Sequence, residues 1–120
     1  MKHLAFLITA ALVGLSTAAP VAQQPIESAS APHAAVMTKY CVTCHNDKAR
    51  TGGLSLEHAD LTNVPQGAET WEKAIRKLRV GMMPPPGMPR PPRAQLDGLA
   101  AYLETSLDRA ASARPRPGRT

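Results

Sequence analysis

With 120 residues, the chain has room for one small domain and its tails, since domains usually need about 100 to 150 residues. Aromatic residues make up 3% of it, which excludes a conventional aromatic-rich core: Phe6 lies near the start, leaving Tyr40, Trp71 and Tyr102 to anchor the interior. The net charge of +5 comes without interleaved aromatic and basic residues, so a nucleic-acid-binding surface is excluded as well.

Taken in chain order, the first 22 residues have the layout of a secretory signal peptide. Lys2 and His3 precede an apolar run from Leu4 to Leu15, and small residues follow around Ser16 to Ala22. The run is too short to span a bilayer, which takes about 20 apolar residues, so a membrane association is expected only if this segment stays uncleaved. Export places the mature chain in the periplasm. Residues 23–33 are polar and lack an apolar period, the pattern of a flexible lead-in. The folding segment is expected at 34–108, and a Pro/Arg-rich disordered tail at 109–120.

Three patches in that segment have helical periodicity. Between Pro32 and Cys44, Val36, Met37, Tyr40, Cys41 and Cys44 share one face, which predicts both thiols on one side of a helix. From about Ala68 to Val80, Trp71, Ala74, Ile75 and Leu78 form an apolar stripe with Gly81 as a stop. From about Arg93 to Arg109, Leu96, Leu99, Ala100, Leu103 and Leu107 form another. Between the first two, "GGLSLEHADL" is too short and glycine-rich for a strand and is expected to be a loop whose Leu54, Leu56 and Leu61 point inward. The predicted class is all-α, three helices with two long connections. A unit this small usually needs a staple such as a metal, a disulfide or a bound cofactor.

The staple is written in "CVTCH". Cys41 and Cys44 are the only cysteines, three positions apart, and His45 follows directly. This spacing fits c-type haem attachment, in which two thiols add to the two vinyl groups of one haem and the next imidazole binds the iron. A disulfide between Cys41 and Cys44 is the plain alternative, and it leaves His45 unexplained. A thioredoxin-type dithiol wants a βαβ context, and zinc wants a second ligand pair, whereas His3, His33 and His58 are isolated along the sequence.

The ligand opposite His45 decides the chemistry. A thioether there suits one-electron transfer, while an open position would make a haem enzyme or a gas-sensing module, the alternative reading. "GMMPPPGM" offers Met82, Met83 and Met88. Pro84 restricts the residue before it to extended backbone, so Met83 is presented from a stiff loop and ranks first, with Met82 as its alternative and Met88 third. His58 is a further distal candidate, and gap-filling by methionine is the plain reading.

Together, the attachment motif, the "GGLSLE" loop, the Trp71 helix, "KLRVGMMPPPG" and the closing leucine helix resemble the planctomycete-type cytochrome c domain, a small relative of class I cytochromes c, over about residues 40–108. The resemblance implies a three-helix fold with long haem-wrapping loops and one covalent haem c on Cys41 and Cys44. It implies His45 as proximal ligand, Met83 as distal ligand, and electron transfer to periplasmic redox partner proteins rather than catalysis by the chain itself. Family members often carry this module at the front of a longer exported enzyme, and "LDRAASARPRPGRT" is similar to the linker leading out of it.

The bases Lys73, Arg76, Lys77, Arg79, Arg90 and Arg93 form either a collar steering acidic partners or, the plainer reading, a solvated face. Trp71 Nε1 or Arg79 is a candidate partner for a haem carboxylate.

Overall fold

A computed structural model describes residues 25–114; the signal-peptide expectation for 1–22 and the last six residues of the tail lie outside them. Among the described residues the chain is all-α: α1 (Ile26–Tyr40), α2 (Ala68–Arg79) and α3 (Arg93–Ala113), with single 3₁₀ turns at Thr51–Gly53 and Val64–Gly67 and no strand. Helix α3 packs across both α1 and α2 and against the 3₁₀ turn at Val64–Gly67.

Two boundaries correct the sequence reading. The lead-in at 23–33 is helical from Ile26, and α1 passes through Pro32. The missing N–H of a proline costs one intrahelical bond. The alanines at 29, 31, 34 and 35 favour helix, and Ser30 is buried, so this end of α1 packs instead of trailing in solvent. At the far end, α3 continues past Asp108 to Ala113, which takes five residues from the expected tail.

The other end of α1 also differs from expectation. The helix stops at Tyr40, and the motif follows in consecutive turns. The Cys41 and Val42 N–H groups both donate to Met37 O (2.8 and 3.1 Å), and those of Cys44 and His45 both donate to Cys41 O (3.1 and 2.9 Å). Val42 and Thr43 are β-branched and favour helix poorly. The Asn46 side-chain amide then donates to Val42 O at 2.9 Å and to Thr43 O at 3.3 Å, competing with helical continuation. One turn still separates the thiols, but outside the helix that delivers them.

Helix α2 closes as its sequence predicts. Gly81 N–H donates to Leu78 O (3.1 Å) and Met82 N–H to Lys77 O (2.9 Å), with Gly81 in the left-handed region at φ 70°. This is a Schellman ending, and it needs the residue without a Cβ. At the other end, a Cβ on Gly67 would lie 3.1 Å from Trp71 Nε1, so the glycine lets the indole lie against the turn before its own helix.

The core is assembled from all three helices and the first connection: Met37 of α1, Trp71 and Leu78 of α2, Leu96, Leu99, Ala100 and Leu103 of α3, and Leu56, Leu61 and Val64 of the loop. Leu56 and Leu61 are buried and Leu54 half-buried, as the loop reading expects. Tyr102 bridges elements: its hydroxyl donates to Leu61 O at 2.7 Å, and its ring lies 4.7 Å from that of His33 on α1. Of the three expected aromatic anchors, Trp71 is buried, Tyr102 is half-buried, and Tyr40 faces a cavity with Lys39 Nζ 5.2 Å from its ring centre.

Candidate cofactor site

The turns after α1, the α2 face and the loop after Gly81 enclose two adjoining cavities of about 210 and 470 Å³. Cys41, His45, Leu78 and Met83 line both, so the cavities are two chambers of one cleft. The smaller adds Cys44, Tyr40, Pro84 and Met88, and the larger adds Leu54, Leu56, Trp71, Leu99 and Leu103. A cleft of this size, apolar with a few converging polar groups, is the usual form of a cofactor site.

Cys41 and Cys44 carry free thiols, and no disulfide joins them. Burial pushes the Cys41 thiol up to about 11, so it is held in its protonated form. His45 lines both chambers, and its Nδ1 is buried without a hydrogen-bond partner, the one such side-chain atom among the described residues. A buried imidazole nitrogen left unpaired is costly unless a ligand completes the site. Two thiols, an imidazole and a thioether on one apolar cleft form a donor set that fits haem.

The adjacent methionines part company. Met83 is half-buried, packs against the core and lines both chambers. Met82 is 50% exposed and lines neither; its Sδ lies 3.7 Å from Lys77 Nζ of α2. Met88 is 47% exposed and lines the smaller chamber.

Two histidines counted as isolated have partners. His58 Nε2 lies 3.2 Å from Asp47 Oδ2, exposed and outside the cleft; with Glu57 they form a solvent-facing cluster whose ligand atoms lie within 4.8 Å of one another. His33 stacks on Tyr102. Arg79 lines neither chamber. Its guanidinium forks onto the Glu104 carboxylate, with Nε 2.8 Å from Oε1 and NH2 on Oε2, and lies 3.7 Å from Asp97, so it joins α2 to α3. That corrects its assignment to a haem carboxylate: the carboxylates on α3 already hold it. Arg79 in turn holds the Glu104 carboxyl below its ordinary range.

Of the six bases read as a collar, Lys73, Arg79 and Arg93 are paired with Glu69, Glu104 and Asp97. All six are exposed, as the solvated-face reading expects. The sequence reading missed the parts of the wall that have no motif, notably Leu78, Thr70 and Thr51–Gly53. Their signal was spacing, since Leu78 and Trp71 lie two turns apart on the apolar stripe of α2.

No helix among the described residues is long and apolar enough to cross a membrane. A search of the curated proteins found no match, and neither did one of the solved structures. Residues 29–103 match the family model described as cytochrome C oxidase, cbb3-type, subunit III, which models a cytochrome c domain, a haem-binding electron-transfer unit. The match runs from the first turn of α1 through the motif, the cleft and α2 into α3, well over half of the chain. The chain therefore belongs to this cytochrome c domain family.

Proposed function

We propose that the chain is an exported, periplasmic monohaem c-type cytochrome that passes single electrons between redox partner proteins, a larger exported enzyme among the candidates. The observation that carries this reading is the meeting of Cys41, Cys44, His45 and Met83 on one apolar cleft. Bound haem supplies one-electron redox chemistry. Cys41 and Cys44 would tether it through their sulfurs, His45 would serve as its proximal ligand, and Met83 as its distal one. Leu78, Leu99, Leu103 and Trp71, which line the larger chamber, would keep water from the bound group, which favours a raised potential. The finer kinship, a planctomycete-type domain, rests on "CVTCH" together with "MMPPPG". In this reading the chain performs no substrate chemistry of its own.

The test is expression with a cytochrome c maturation system followed by a haem stain of the denatured chain. Covalent colour, lost in a Cys41→Ala, Cys44→Ala variant, is expected. A matured wild-type chain that stays colourless after denaturation overturns the reading. Ready carbon monoxide binding by the reduced protein would favour the open-site alternative.

A further inference from the structure

The larger chamber has a charge asymmetry that the ligand set does not explain. Two cations line it, Lys73 and Lys77, and no acidic side chain does. Four residues apart on α2, they share one helix face. Lys73 is tied to Glu69, with Nζ 2.6 Å from Oε1. Lys77 has no ion pair among the described residues; its polar contact is the neutral sulfur of Met82 at 3.7 Å. A cation without a carboxylate partner at the edge of an apolar cavity is suited to receive an anion carried by whatever fills that cavity.

The chamber walls also fix a direction. Cys44 lines only the smaller chamber, whereas Lys73 and Lys77 line only the larger. Haem carries its two vinyl groups on one half of the ring and its two carboxylates on the other. Cys44 and the two lysines therefore stand in different chambers, with Cys41 shared by both, an arrangement that suits a ring whose vinyl and carboxylate groups lie on opposite halves. Lys39 is the one cation of the smaller chamber, beside the thiols, where the ring presents no carboxylate.

Resting on the haem reading above, we propose that Lys77, with Lys73 from the same face of α2, is the binding site for the haem carboxylates. Trp71 lines the same chamber and remains their neutral neighbour. The titratable groups facing this chamber are the two lysines, Cys41 and His45 and, through Lys73, the Glu69 carboxylate. Lys77 thereby touches two parts of one assembly, a carboxylate on the chamber side and the ligand loop through Met82.

The experiment uses the matured, haem-loaded protein and follows its midpoint potential against pH. A cation beside a carboxylate favours its ionised form and lowers its pKa by about one to three units, so Lys77→Gln should move the carboxylate inflection upward by that amount. Lys77→Arg should restore the wild-type inflection, Lys73→Gln should give a smaller upward shift, and Lys39→Gln should leave the profile in place. A Lys77→Gln profile that superimposes on wild type, or that is offset equally at every pH without moving its inflection, overturns the assignment. So does a Lys39→Gln shift as large as that of Lys77→Gln, which would put the carboxylates in the smaller chamber. A wild-type chain that carries no haem sinks the parent reading instead, so the two failures are distinguishable.

Discussion

Met82 and Met83 are neighbours in sequence with different environments: one is exposed with its sulfur against Lys77 of α2, and the other side chain lines both chambers of the cleft. Met83→Ala should therefore abolish the weak red-edge absorbance of the oxidised protein, lower its midpoint potential and open the reduced protein to carbon monoxide, while Met82→Ala should do none of these. Spectra and a carbon monoxide titration of both variants check this. His33 makes a second residue-scale prediction. Burial against Tyr102 and Gly98 holds its imidazole below the ordinary value of 6.5. A group with a depressed folded pKa of this basic kind binds fewer protons when folded, so stability is complete above about pH 6.5 and declines as pH falls toward the lowered value. Thermal melts of the matured protein from pH 7 to 5 should show that decline, and His33→Leu should flatten it.

At the scale of elements, α2 is delimited by two glycines with different tasks. Gly81 sits at φ 70°, and a Cβ there would meet nothing closer than 3.8 Å, so Gly81→Ala is strained by backbone conformation alone, at about 1 kcal/mol. Gly67→Ala instead drives a Cβ to 3.1 Å from Trp71 Nε1. It should tilt the indole that lines the larger chamber, changing the fluorescence of the single tryptophan and the haem environment together. Denaturant melts paired with tryptophan emission separate the two: Gly81→Ala lowers stability with the emission unchanged, and Gly67→Ala changes both. Between α2 and α3, the Arg79–Glu104 fork does what the sequence reading reserved for a cofactor. A helix wheel gives the direction of Arg79 from its own axis but not which side α3 approaches, and so the partner was illegible.

For the whole molecule, the core and the site are made of the same side chains. Trp71, Leu56, Leu78, Leu99 and Leu103 are core residues that also line the larger chamber. A chain prevented from acquiring haem should therefore melt at lower temperature and with a broader transition than the matured protein, because a ligand bound by the folded state alone stabilises it. Leu96, buried at 2% exposure and outside both chambers, separates core from site. Leu96→Ala should cost about 2 to 5 kcal/mol in denaturant melts of the matured protein while leaving its visible spectrum unchanged.

Residue order sets the local chemistry of this chain. The spacing of Cys41, Cys44 and His45, the stop at Gly81, the stiff backbone before Pro84 and the apolar stripes of α2 and α3 depend on neighbours a few residues away, and all are legible from type and interval. Tertiary structure alone decided that the Ser30 end of α1 packs, that Met88 reaches the smaller chamber while Met82 does not, and that Arg79 pairs with Glu104. Each of those depends on groups far apart in the chain, where burial and pairing compete, and no short interval in the sequence records the outcome.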